Sequence, residues 1–317
     1  MAKTMKEEFT FRAEPCDMPV HAIKWLPDHG EPKAVLQIIH GMIEFIGRYD
    51  RFAEFMASNG YVIAGIDLPG HGSSVNDQGD HGYFGEPDGN ASVISAIHGL
   101  RTIMQKEYPG LPYLMLGHSM GSFFVQQYVM MYGEGIRAMA VMGTGWQPSF
   151  NLKLARLICR LQAARHGWRY RSPLLTKMAL GSANKRIPDA KTKNDWLTRD
   201  EKIVAAYNAN PWDNFMFTVN AFDGMFKAIG YVEKPDHVRR LAPDLPVFFL
   251  SGAEDPVGNY GEGPKKAAGN YRNCGMKNVQ MKLYPGDRHE LLNETDHEKP
   301  DEDLLAFFDD AVNSGKS

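Results

Sequence analysis

Short apolar runs alternate with helix-patterned segments along this chain; the alternation stops after Gly145 and starts again near Pro246. The runs "KAVLQIIHG", "YVIAGIDLPG", "PYLMLG", "RAMAVMGTG" and "PVFFLSGAED" are largely apolar, as strands buried on both faces of a sheet must be, and "VQMKLYPG" continues the alternation as a further strand. Among them, "RYDRFAEFMASNG", the stretch from about Ala91 to Lys106, "SFFVQQYVMMYG" and "DEDLLAFFDDAVN" space their apolar residues for helices. Strands alternating with helices predict an α/β fold: a mostly parallel central sheet with helices on both faces. Two further strand-like segments, "EEFTFRAEP" and "HAIKWLP", precede the alternation.

The interruption divides the chain. Residues 1–145 and 242–317 are assigned to the sheet core, and residues 146–241 to an inserted helical cap. Ligands bind such sheets at the carboxyl ends of the strands, so a cap over that edge would roof the site. The insertion also concentrates positive charge. From Asn151 to Lys193, eleven Lys or Arg stand against one acidic residue, Asp189, in a chain whose net charge is −3. The remainder is therefore acidic, which argues against nucleic acid as a partner. Cys16, Cys159 and Cys274 are widely separated, in no metal-binding spacing, and fit a reducing compartment. With no apolar leader in "MAKTMKEEFTF" and no apolar stretch of about 18 residues, a soluble cytoplasmic protein is expected.

Within "LMLGHSMGSFF" a serine stands at Gly-x-Ser-x-Gly spacing: Gly117, His118, Ser119, Met120, Gly121. An apolar run precedes it and a helical pattern follows, which predicts a sharp turn holding the Ser119 hydroxyl above the sheet. A serine hydroxyl is a weak nucleophile unless a histidine takes its proton and an acid orients that histidine. The ends of two later strands supply both: Asp255 in "SGAEDPVG" and His289 in "GDRHELLNE". The order Ser119, Asp255, His289 is that of the α/β-hydrolase fold. Glu254 and Asp287 are competing acids; Asp255 is preferred because it lies further past its strand and precedes Pro256. A developing oxyanion needs two backbone donors, one after the nucleophile and one after an earlier strand. Met120 supplies the first; Met42 supplies the second, after the strand-ending turn of His40 and Gly41 in "IIHGMIE".

The segments "IIHGMIEFIGRYDRFAEFMASNGY", "GIDLPGHGSS", "LGHSMGS", "SGAEDPVG" and "YPGDRHELLNE" resemble the monoacylglycerol lipase and lysophospholipase branch of the α/β-hydrolases, often labelled serine aminopeptidase-like. The likeness runs from about Ala34 to the last helix. It includes "WLTRDEKIVAAYNANP", similar to a cap motif that usually ends Tyr-x-x-Asp-Pro; here Asn210 replaces the aspartate. Phe45 stands where the branch commonly has histidine. The resemblance implies a Ser119, Asp255, His289 triad with Met42 and Met120 as oxyanion donors. It also implies an acyl-enzyme route on monoacylglycerols, lysophospholipids or short-to-medium acyl esters. Thioesterase and peptidase chemistry use the same triad, and a non-hydrolytic receptor on this fold is the alternative from another class. His118 and His71, in "LPGHGSS", are expected to brace loops rather than transfer protons. Glu44 is either support for the oxyanion loop or a solvated carboxylate. No metal-ligand spacing and no glycine-rich dinucleotide pattern occur, so no cofactor is required.

In "NLKLARLICRLQAARHG", Leu154, Leu157, Ile158 and Leu161 recur at helical spacing, with Lys153, Arg156 and Arg160 on another face. The expectation is a helix whose apolar side packs on the sheet domain. A weak contact with an anionic lipid surface is the alternative. Trp146, Trp168, Trp212, Phe215, Phe217, Met225 and Phe226 are expected to be mostly core, with some lining an acyl pocket.

Overall fold

The computed structural model describes residues 4–314. Eight strands form one sheet: β1 (Met5–Ala13), β2 (Cys16–Leu26), β3 (Ala34–Ile39), β4 (Tyr61–Ile66), β5 (Tyr113–His118), β6 (Ile136–Met142), β7 (Val247–Gly252) and β8 (Val279–Tyr284). Their spatial order is β1-β2-β4-β3-β5-β6-β7-β8. The first two strands run antiparallel to their neighbours, and every pairing from β4 to β8 is parallel. β3 to β7 are buried nearly end to end, as apolar runs covered on both faces must be.

Side chains alternate across each strand, and the two faces feed two cores. Along β3, Val35 and Ile39 face a core shared with α2 (Gly89–Glu107) and α3 (Met120–Tyr132), while Leu36 and Ile38 face α1 (Asp50–Ser58) and α10 (Glu298–Asn313). α1 packs through Phe52, Ala53, Met56 and Ala57, one stripe of an amphipathic helix, and the chain turns out of it at Gly60 with φ +88°. The Asp88 carboxylate caps α2 by accepting from the Asn90 and Ala91 N–H groups. A helix not foreseen from sequence, α9 (Glu262–Asn273), joins β7 to β8. Its Lys, Gly and Asn content hides a buried stripe made of Pro264, Ala267, Ala268 and Tyr271.

Between β6 and β7 the chain makes helices α4 (Ser149–His166), α5 (Pro173–Leu180), α6 (Glu201–Ala209), α7 (Val219–Val232) and the short α8 (Pro235–Val238). α7 packs against α4 on one side and α2 and α3 on the other. Asn220 ties this segment to the loop after β4, accepting from Phe84 N at 3.1 Å and donating to the Gly85 carbonyl at 3.0 Å.

α4 does not bury the stripe expected of it. Leu152, Ala155 and Cys159 face inward, whereas Leu154, Leu157 and Leu161 are 45%, 51% and 62% exposed. The helix carries two apolar stripes, and α7 covers only one; across that contact Arg156 pairs with Asp223 at 2.9 Å. Of the aromatic and methionine side chains expected in the core, Phe217 and Met225 are buried, while Trp168 and Trp212 reach solvent. Among the described residues, no helix is long and apolar enough to cross a membrane.

Candidate active site

β3 lies between β4 and β5, so the connections at its carboxyl end and that of β5 leave in opposite directions and open a crevice. Ser119 follows β5 immediately, at φ 53° and ψ −121°, a left-handed conformation that a non-glycine residue adopts at a cost. Close packing enforces it. A Cβ at Gly121 would run into the Ile39 and His40 carbonyl oxygens, and one at Gly117 into the Gly121 carbonyl. Ser119 N donates to the Met142 carbonyl at 2.9 Å and its own carbonyl accepts from Ser122 N at 2.9 Å, so the turn is held on both sides. The Ser119 side chain is left half-buried, facing a cavity of about 790 Å³.

His289, on the loop after β8, lines the same cavity. Its Nδ1 lies 3.0 Å from Asp255 Oδ1; the carboxylate can only accept, so the proton is on Nδ1 and Nε2 is left as a base. Asp255, fully buried after β7, also accepts from Val257 N at 2.8 Å and from Ser251 Oγ at 3.2 Å. The competing acids are elsewhere. Glu254 points to solvent, and Asp287 is buried against Arg199. Among the described residues no hydrogen bond joins Ser119 Oγ to His289, a contact that often tightens only when substrate is bound.

Met42 and Met120 also line the cavity, and within the described residues neither backbone N–H has an acceptor. Met120 opens α3, where an N–H has no intrahelical partner. Met42 sits in a loop braced by two neutral histidines. His40 Nδ1–H donates to the Gly41 carbonyl at 2.8 Å, and its Nε2 accepts from Leu68 N at 2.9 Å. His71 Nε2 accepts from Ile43 N at 3.4 Å and its Nδ1 faces the Pro69 carbonyl. Burial lowers both pKa values, which suits rings that accept a hydrogen bond.

Beneath the turn, Glu44 is buried rather than solvated. It accepts from Gly41 N, from Tyr49 OH at 3.0 Å and from His118 Nδ1 at 3.1 Å. His118 Nε2 lies 3.2 Å from the His289 carbonyl oxygen, so both ring nitrogens face acceptors. Burial opposes protonation of His118, but the Glu44 hydrogen bond and charge outweigh it and raise its pKa. Burial likewise disfavours the Glu44 carboxylate, and its bond to His118 with the charge of Arg48 overcomes this and lowers its pKa. Arg48 bonds Glu44 at 2.9 Å and grips Glu290 with two bonds of 2.7 Å. A protonated His118 and Arg48 thus balance Glu44 and Glu290 directly behind the His289 loop.

Sequence reasoning missed the residues of the β6–β7 segment that fix that loop. Trp196 packs on the His289 ring at 4.9 Å between centroids, Leu197 O accepts from Glu290 N at 2.7 Å, and Arg199 bonds Asp287, Glu294 and Asp296. Their signal is the run "WLTRD" itself, in which an apolar pair and an arginine have no helical or strand periodicity to explain them.

Comparison with known proteins identifies the family. A family profile described as "Serine aminopeptidase, S33" matches residues 30–296. The monoacylglycerol lipase of Mycolicibacterium smegmatis is 27% identical over 289 residues, covering 90% of each chain. A thermostable carboxyl esterase of Bacillus coagulans, solved in complex with glycerol, superposes with a TM-score of 0.90 at 27% identity, covering 97% of this chain and 99% of the other. The monoglyceride lipase of Saccharomyces cerevisiae shares the fold with a TM-score of 0.76 at 19% identity, covering 98% of this chain and 96% of the other. The profile spans everything from β3 to the loop before α10, and the chain accordingly belongs to the serine aminopeptidase S33 family, in the monoglyceride lipase-like branch of the α/β-hydrolases.

Proposed function

We propose that this protein is a serine carboxylic-ester hydrolase that works through an acyl-enzyme on acylglycerols. His289 Nε2 takes the Ser119 proton as Oγ attacks the ester carbonyl, and Asp255 stabilises the imidazolium that forms. The Met42 and Met120 N–H groups hold the oxyanion. His289 then returns the proton to the leaving alcohol, and water activated by the same ring releases the acid. The observation that carries this reading is the convergence of a strained serine, an acid-paired histidine and two unpaired backbone donors on one cavity.

In this account residues 146–241 act as the cap over the sheet core of residues 1–145 and 242–317. The cavity walls contributed by Leu152, Met225, Phe226 and Ile229 are apolar and accept the acyl chain. Leu154 and Met178 line the cavity and are also exposed, so they mark its mouth. Phe150, Leu157, Leu161 and Leu174 extend the exposed apolar surface, with Lys153, Arg160 and Lys177 exposed beside them. A contact of this kind with an anionic lipid surface would deliver the substrate to the mouth.

Placing a charge on the uncovered stripe separates this role from packing. Leu157→Glu with Leu161→Glu is expected to leave the unfolding temperature and the hydrolysis of water-soluble p-nitrophenyl butyrate unchanged. Hydrolysis of monoacylglycerol in anionic vesicles should fall at least about tenfold, the size expected for losing one buried leucine from an interface. Equal rates on vesicles would remove the lipid-surface role; failure to hydrolyse any monoacylglycerol would remove the substrate assignment.

A further inference from the structure

Asp213 lies on the cavity wall and takes no part in the chemistry above. α6 ends at Ala209, and the Asn210 side chain accepts from Trp212 N at 3.0 Å, shaping a short turn over Pro211–Asp213. Asp213 is 4% exposed, and within the described residues neither carboxylate oxygen accepts a hydrogen bond; Oδ1 is fully enclosed. A buried carboxylate without donors is costly, so one kept on a ligand cavity points to a donor that arrives with the ligand.

Among the described residues no hydrogen-bond donor substitutes for it. Arg48 is the cation that acts on Asp213, but its guanidinium is committed to Glu44 and Glu290. With Arg48 and His118 already balanced by those two glutamates, Asp213 is the carboxylate left over. An acyl chain has no donor to offer, and the apolar wall of Leu152, Met225, Phe226 and Ile229 suits it better. The polar end, where Asp213 is influenced by Arg48, Glu44 and Glu290 and Glu290 adjoins His289, suits the alcohol side of an ester.

We propose that Asp213 selects the alcohol portion of the substrate, accepting a hydrogen bond from a hydroxyl or ammonium group carried there. The proposal rests on the ester-hydrolase reading for the identity of the ligand, but binding can be measured without turnover. Burial pushes the Asp213 pKa up to about 7, with Glu44 and Glu290 adding to the rise and Arg48 opposing it. The acceptor therefore changes charge near neutral pH. The four groups linked to it by charge move away from neutral pH: Arg48 and Tyr207 are raised well above their usual ranges, and Glu44 and Glu290 are lowered.

The test uses non-hydrolysable octyl ethers in matched pairs, hydroxyethyl against propyl and dimethylaminoethyl against isopentyl. Dissociation constants are measured by calorimetry on the full chain, on Asp213→Leu and on Asp213→Asn, with thermal unfolding to verify the fold. The selectivity for each donor ether over its apolar partner should drop about tenfold or more in Asp213→Leu, the worth of a hydrogen bond to a charged group. If only the amine pair collapses in Asp213→Asn, the carboxylate reads ammonium; if only the hydroxyethyl selectivity depends on residue 213, it reads hydroxyl. Either supports the proposal. In the wild type the dependent selectivity should rise between about pH 6 and 8 as Asp213 ionises, and Asp213→Asn should flatten that rise. Selectivities that agree within about twofold between wild type and both variants would overturn the proposal. Loss of ester turnover with intact ether selectivity would overturn the hydrolase reading alone.

Discussion

Ser119→Ala is expected to reduce ester hydrolysis by at least about 10⁴-fold while leaving the fold and ligand binding intact. The loss is chemical because the substitution changes little else. Among the described residues Ser119 makes no side-chain hydrogen bond whose removal would orphan a partner, and alanine meets the φ of 53° no worse than serine does. What remains is the cavity and the proposed Met42 and Met120 donors, which would bind and polarise an ester without a nucleophile. Substrate affinity should therefore change little and kcat should carry the loss, read by steady-state kinetics on p-nitrophenyl butyrate with the secondary structure monitored in parallel. Activity within a hundredfold of wild type would place the nucleophile elsewhere.

Asp255→Asn should lower kcat by about 10³- to 10⁴-fold. The amide keeps the shape and can still accept from His289 Nδ1 and Val257 N, so the expected defect is the missing negative charge beside an imidazolium that forms in the transition state. Burial makes that charge matter: both side chains are almost completely shielded from water, where Coulomb interactions are strong. Glu254→Gln is the informative comparison, because Glu254 directly precedes Asp255 in the chain yet is exposed to solvent. It should retain nearly full activity. If Glu254→Gln lost more than Asp255→Asn, the acid would be misassigned.

The parts of the site legible in the sequence are those whose chemistry demands a local pattern. A serine held at a strand-to-helix turn needs glycines within two residues of it, so Gly117 and Gly121 announce Ser119. The acid follows β7, an apolar run readable because both its faces are covered, and the histidine follows β8, an edge strand readable by its alternation. Position past the strand and the following Pro256 favoured Asp255 over Glu254 and Asp287, but the deciding difference is tertiary: of the three, Asp255 is the one whose carboxylate meets His289. Glu44 shows the same limit. Nothing near it in the chain says that His118, seventy-four positions on, will be its partner.

The β6–β7 segment was least legible. Helical periodicity identifies α4 as amphipathic, yet Leu152, Ala155 and Cys159 repeat at the same spacing as Leu154, Leu157 and Leu161. Two stripes offset by two residues look alike in sequence, and which one α7 covers is decided by packing. Asp213 and Arg199 are in the same position. Each is an ordinary charged residue in a polar stretch until the fold sets one on the cavity wall and the other against the loop of His289.

The central claim is that Ser119 is an activated nucleophile, and the most direct test is covalent capture. The folded protein is treated with a fluorophosphonate, an organophosphorus reagent that reacts with activated serines, then digested and analysed by mass spectrometry. The account predicts one adduct per chain, on the peptide containing Ser119, with esterase activity lost in proportion to labelling, no adduct in Ser119→Ala and slowed labelling in Asp255→Asn. An adduct on another residue, or full ester turnover by a completely labelled protein, would contradict it.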